Sequence, residues 1–180
     1  AVGADFLVPD DINDESTRSR LADHDCEVAA SVNWKTLIAG EMLDVFDFGV
    51  VNCHAGDLPQ YRGNATVNWA LLEGEDEITF TLHFMVEELD AGPVLLQRSL
   101  SLNSDTYLSD VHEFAREEVP ELFVEAVDGL ERGDLSARPQ SEERERALRC
   151  YPRKHVDSRI DWSRSADRIA RLVRASADPL

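Results

Sequence analysis

The segment Gly49-Val50-Val51-Asn52-Cys53-His54 constrains this chain more than any other stretch. Its β-branched run reads as a strand, and it delivers two polar residues, spaced by one, to the strand's end. Gly56-Asp57-Leu58-Pro59 and Arg62-Gly63-Asn64 then punctuate a loop, and residues 65–72 read as a helix that Gly74 ends. The same order precedes it: a buried strand over residues 26–32, with Asn33-Trp34 at its carboxyl end, then helical spacing over residues 37–45. Strands alternating with helices predict an α/β fold with a mostly parallel sheet. Such sheets bind ligands at the carboxyl ends of their strands, where Asn33, Asn52 and His54 would emerge.

The flanking regions complete this expectation. Residues 2–8 suggest a short strand ended by Pro9, and Ser16 or Thr17 could cap a helix running toward Ala22. Ile78, Phe80, Leu82 and Phe84 alternate with strand period, residues 87–93 form a turn, and residues 94–99 return as a partner strand. Apolar residues from Val111 to Leu130 recur at helical spacing, with Pro120 expected to kink or divide that helix. Residues 132–150 are polar without periodicity, and a last helix runs from Ser163 or Ser165 to about Ala175. These patterns divide the chain into a core over 1–131, a polar linker segment over 132–160 and a terminal helix over 161–180.

Composition excludes several classes. No apolar run approaches the roughly 20 residues of a membrane-spanning helix. Cys26, Cys53 and Cys150 are odd in number and widely spaced, which argues for reduced thiols in a cytoplasm. No His, Cys and carboxylate cluster has metal-ligand spacing. The net charge of −18 comes from 36 acids against 18 bases, and Lys35 and Lys154 are the two lysines. Acid excess with scarce lysine is what a salt-rich, halophilic cytoplasm favours, so the charge says little about partners. The last 50 residues run against this trend, and Arg164, Arg168, Arg171 and Arg174 form a stripe there. Such a stripe could meet a phosphate-bearing ligand, although a solvated face or a contact with acidic surface is the commoner outcome.

An amide and an imidazole two residues apart on a strand project to one side and can together hold an oxyanion, provided the imidazole is protonated. Asp90, in a Leu-Asp-Ala-Gly turn, could orient such an imidazole. An isolated Asn-x-His is more often a hydrogen-bonded loop anchor, and the surrounding motifs decide between the two.

Asn52-Cys53-His54-Ala55-Gly56-Asp57-Leu58-Pro59-Gln60-Tyr61-Arg62-Gly63, followed by Asn68-Trp69-Ala70, resembles the folate-dependent formyltransferases. Thr81-Leu82-His83-Phe84-Met85-Val86 with Leu89-Asp90-Ala91-Gly92 is similar to the segment that holds the family's catalytic aspartate. Asp161-Trp162 and Leu172-Val173-Arg174-Ala175 resemble the end of its catalytic domain. The resemblance implies a Rossmann-like formyltransferase fold that lacks its first strands, leaving a sheet edge and apolar surface exposed. It implies Asn52, His54 and Asp90 as the catalytic trio, and 10-formyltetrahydrofolate as co-substrate without a metal.

The resemblance also implies roles around that trio. Asn33, Trp34 and Leu89 fall where the family holds the pterin, though Trp34 could equally be core packing. Arg62, Asn64 and His83 fall on the acceptor side. Arg62 could grip a phosphate or form a structural ion pair, and His83 could line the site or be a satisfied structural histidine. The implied reaction is formyl transfer to a neutral primary amine through a tetrahedral intermediate. A small-molecule amine is expected as partner, with an amino sugar on a nucleotide ranked first, methionyl-tRNA second and glycinamide ribonucleotide third. Arg62-Gly63 with Asn68-Trp69, which resembles the sugar-nucleotide enzymes, sets the first place, and Gly56-Asp57, in place of the Ser-Leu usual in the tRNA enzymes, weakens the second. A formyltetrahydrofolate hydrolase and a non-catalytic folate-binding fragment are the alternatives. Oligomeric state is left open.

Overall fold

The computed structural model describes residues 4–140 and 148–177. In chain order its elements are α1 (Glu15–Ala22), β1 (Val28–Ser31), α2 (Gly40–Leu43), β2 (Gly49–Ala55), β3 (Arg62–Gly63), α3 (Thr66–Glu73), β4 (Glu77–Phe84), β5 (Val94–Ser101), α4 (Leu108–Arg132), β6 (Arg149–Cys150) and α5 (Ala166–Ser176). The central sheet has the order β1-β2-β4-β5. β1 lies parallel to β2, whereas β4 runs antiparallel to both β2 and β5. The α/β fold is thus as expected, but the described sheet is mixed rather than mostly parallel. A parallel neighbour needs a crossover of about a dozen residues, and the turn through Asp90 and Gly92 instead folds β5 straight back on β4.

Alternation along these strands gives the sheet two different faces. Val51, Cys53, Phe80, Leu82 and Phe84 pack with Val111, Leu122 and Ala126 of α4. Leu82, Val111, Leu122 and Ala126 are each at most 1% exposed, so this is the densest part of the core. Arg98 belongs to the same face and reaches Glu118 and Glu125 of α4 at 2.6 and 2.9 Å. The opposite face presents Asn52 and His54 on β2, and Thr81 and His83 directly across from them on β4.

Helix α4 runs through Pro120 as one helix, so the expected division does not occur. Proline removes one intrahelical bond, but both halves of the helix present apolar residues to the same sheet face, and that burial keeps the helix continuous. Helix α1 is capped by Asp14, whose carboxylate accepts from the Thr17 amide at 2.7 Å, rather than by Ser16 or Thr17. Helix α2 is shorter than its pattern suggests, because Asn13 bonds Leu37 O and Ala39 N and keeps the preceding segment out of the helix.

The expected opening strand does not form over residues 4–8: Phe6 and Val8 are 89% and 95% exposed and have no ladder partner among the described residues. Residues 1–3 of that expectation lie outside the described residues, as do 141–147 of the polar segment and 178–180 of the terminal helix. β1 is an edge of the described sheet, and Phe48, Val124 and Val127 stay exposed.

The arginine stripe is used internally. Arg168 Nη1 donates to Leu72 O at 2.6 Å and Arg171 Nη1 to Glu73 O at 2.8 Å, so both guanidinium groups satisfy carbonyls at the end of α3. Arg168 also pairs with Glu73 at 2.8 Å. A side chain at Gly74 would collide with the Arg171 guanidinium, and Gly74 (φ +74°) also ends α3 in the left-handed conformation.

Candidate active site

The carboxyl end of β2 places Asn52 and His54 on the sheet face opposite α4. Asn52 Nδ2 lies 3.2 Å from His83 Nε2, and His83 Nδ1 lies 2.8 Å from Phe84 O. A carbonyl can only accept, so His83 carries its proton on Nδ1 and Nε2 accepts from the Asn52 amide. Burial, the largest influence, holds His83 below the ordinary histidine pKa of 6.5 and keeps this ring neutral. His54 Nε2 donates to Tyr61 O at 2.6 Å, which turns Nδ1 toward Asp90.

Asp90 joins these rings. Its Oδ2 accepts from the Gly63 amide at 2.8 Å and lies 3.6 Å from His54 Nδ1, while Oδ1 lies 3.9 Å from His83 Nε2. The carboxylate is 11% exposed. Asp90 has φ +50°, a left-handed conformation that aspartate tolerates better than most side chains. Gln140 fixes the turn by donating to both Asp90 O and Gly92 O at 2.8 Å.

The loop after β2 is shaped by contacts that leave no space for side chains. A Cβ on Gly56 would lie 2.7 Å from Tyr61 O and 2.8 Å from His54 Nε2, inside the contact that orients the imidazole. At Gly63 (φ +104°) it would meet the Cys150 carbonyl, where β3 and β6 pair in parallel. Thr81 is fully buried, and its hydroxyl donates to Gly56 O at 2.7 Å and accepts from Gln97 at 3.0 Å. Tyr61 is anchored by a short hydrogen bond from its hydroxyl to Glu75.

The structure therefore brings Asn52, His54, His83 and Asp90 into one cluster. Arg62 stands beside it, with Nη2 donating to Gln140 Oε1 at 2.6 Å and Nη1 3.6 Å from Glu88. Asn64 is exposed and bonds through its amide to Cys150 O at 3.1 Å. Asn33 (φ +53°) is exposed at the end of β1, and Trp34 is 48% exposed with its indole N–H on Thr36 at 2.9 Å. Trp34 is thus not a core residue. Leu89 is partly buried in the Asp90 turn. Among the described residues no group of His, Cys, Asp and Glu could hold a metal ion, and no helix is long and apolar enough to cross a membrane.

Several members of the cluster escaped the sequence reading. Thr81 was accessible to it, since it lies two residues before His83 on an alternating strand and must share its face. Gln140, the Tyr61 carbonyl and the Gly63 amide carry no local signal, because each acts through a contact distant in sequence.

Comparisons with known proteins bear on the family and the fold. A family model for formyl transferases matches residues 7–127. A methionyl-tRNA formyltransferase from Thermodesulfovibrio yellowstonii is 32% identical over 174 residues, covering 97% of this chain, which spans 56% of that protein's length. HypX from Aquifex aeolicus, solved in complex with tetrahydrofolic acid, is 26% identical with a TM-score of 0.71, over 87% of this chain and 27% of HypX. An N-formyltransferase from Helicobacter canadensis, solved with folinic acid and dTDP-3-aminofucose, shares the fold at a TM-score of 0.68 and 19% identity, over 81% of this chain and 53% of that one. The match over residues 7–127, which contains every element from α1 through most of α4, establishes that the chain belongs to the formyl transferase family.

Proposed function

We propose that this site transfers a formyl group from 10-formyltetrahydrofolate to a primary amine. The observation that carries the reading is the Asp90 carboxylate, held by the Gly63 amide and facing the His54 and His83 rings, with the Asn52 amide on His83. The bound co-substrate supplies a formyl group attached to nitrogen. As the amine attacks, a C–N bond forms and negative charge develops on the formyl oxygen. Asn52 Nδ2 has a second N–H beyond the one given to His83, and donating it to that oxygen stabilises the charge. His54, oriented by its bond to Tyr61 O, faces the carboxylate at 3.6 Å, and the Gly63 amide holds that carboxylate in place. Asp90, directly or through water, takes the proton that the amine loses and passes it to the folate nitrogen as the old C–N bond breaks, releasing tetrahydrofolate and the formylated amine. The buried, unpartnered hydroxyl of Ser31 and the half-exposed face of Trp34 fit a flat, polar co-substrate at the end of β1.

For the acceptor we favour an amino sugar carried on a nucleotide. Arg62 lies against the Asp90 turn through Gln140, where a phosphate-bearing acceptor would approach. The 32% identity to a methionyl-tRNA formyltransferase favours methionyl-tRNA as the second reading. Incubating the protein with 10-formyltetrahydrofolate at high salt against nucleotide-linked amino sugars, methionyl-tRNA and simple amines tests both. Formylated amino sugar is the expected product. Formylated methionyl-tRNA alone would select the second reading, and free formate without product would assign a hydrolase.

A further inference from the structure

Gln140 reaches the site from its backbone side, and its side-chain amide is fully engaged there. Nε2 donates to Asp90 O and Gly92 O, both at 2.8 Å, and Oε1 accepts from Arg62 Nη2 at 2.6 Å. A guanidinium can only donate and a carbonyl can only accept, so the amide has one possible orientation and both its N–H groups are used. An ionised carboxylate at this position could meet Arg62 but not the two carbonyls. Arg138 brings the chain to this point: its backbone exchanges hydrogen bonds of 2.7 and 2.8 Å with Val94, just past the Asp90 turn.

The Asp90 carboxylate needs support of this kind. His54 Nδ1 and His83 Nε2 stand 3.6 and 3.9 Å away, beyond hydrogen-bond distance, so the Gly63 amide at 2.8 Å is its one direct hydrogen bond among the described residues. One bond fixes an oxygen but lets the carboxylate swing about it, so the backbone must set the rest. That backbone lies at φ +50°, where a residue other than glycine persists only when its surroundings hold it. The bond that closes the turn from within, Ala91 N to Glu88 O, is long at 3.3 Å. Among the described residues no donor other than Gln140 reaches Asp90 O or Gly92 O.

We infer that Gln140 is a positioning residue for the transfer, fixing the Asp90 carboxylate for proton transfer through the backbone of its turn. This rests on the formyl-transfer reading. Two variants of the full chain separate its contacts. Gln140→Met removes all three bonds, whereas Gln140→Glu keeps an acceptor for Arg62 and loses both donations. Each should lower kcat about tenfold, because displacing a proton acceptor by about 1 Å is enough, and Gln140→Glu should leave the KM for the amine unchanged. In an Asp90→Asn background the same substitutions should change the residual kcat by less than about twofold, since the carboxylate they act through is gone. Hydrogen exchange of the Gly63 amide in the free protein, read by NMR, should quicken about tenfold in both variants.

Wild-type kcat in Gln140→Glu would assign the amide to Arg62 alone and overturn the inference. A tenfold loss that persists in the Asp90→Asn background would overturn it too, as would unchanged Gly63 exchange. A lowered Tm with kcat per folded molecule unchanged would reduce Gln140 to a structural contact. In those outcomes wild-type transfer still stands. A wild-type protein that transfers no formyl group refutes the formyl-transfer reading and this inference with it, while Gly63 exchange still reports whether Gln140 holds the carboxylate.

Discussion

The two faces of the central sheet are built from the same strands at alternate positions, and they obey opposite rules. On the α4 side, Leu82 of β4 is fully buried against Val111, Leu122 and Ala126, and only Arg98 brings charge, at the margin. On the other side, one residue along each strand, Thr81 and His83 are as deeply buried yet wholly polar. Leu82 is held by dispersion and exclusion from water, whereas Thr81 and His83 are tolerated because each polar atom has a partner. The apolar face can lose a side chain and keep its chemistry, while the polar face can lose chemistry and keep its fold.

Substitutions at neighbouring positions separate the two. Leu82→Ala leaves a cavity in the packed face and should cost about 2–5 kcal/mol of stability, read as a lowered urea midpoint. The rate per folded molecule should stay close to wild type. Asn52→Ala should act in the reverse sense: loss of an oxyanion donor lowers kcat about 10²–10³-fold, or roughly 3–4 kcal/mol of transition-state stabilisation. A change confined to KM would remove Asn52 from that role.

A smaller effect concerns His83. Its native pKa lies below the unfolded value of 6.5 because of burial, so the folded state favours the neutral ring. The associated stability is fully present above pH 6.5 and is lost as pH falls through the lower native value. His83→Gln keeps a neutral acceptor for Asn52, so its unfolding midpoint should fall less than that of wild type between pH 7 and pH 5. Parallel pH profiles for the two proteins would contradict a buried neutral His83.

How much was visible in the sequence follows the same division. The strands β2, β4 and β5 and the helices α3 and α5 were legible because period, caps and Gly74 all agreed locally. The opening strand was misread because residues 4–8 have the composition of a strand but no neighbour to pair with. Asn52, His54 and Asp90 were legible through motif and resemblance. Gln140 was not, since it reaches the Asp90 turn across 50 residues from a polar segment expected to link rather than to hold. The β3–β6 pair was equally hidden, being two residues per strand joined across about half of the chain. The same pair places the Gly63 amide that holds Asp90, so the least legible contact supports the carboxylate proposed to take the amine's proton.

The central claim is that the Asp90 carboxylate, held by the Gly63 amide and flanked by the two imidazoles, drives transfer without holding the fold together. Formyl transfer from 10-formyltetrahydrofolate by Asp90→Asn, beside its thermal unfolding, tests this most directly. Asparagine preserves the oxygen that accepts from the Gly63 amide but removes the charge and the proton acceptor. The account predicts kcat reduced at least about 100-fold, with Tm within a few degrees of wild type. A rate within a few-fold of wild type in a normally folded Asp90→Asn would contradict it.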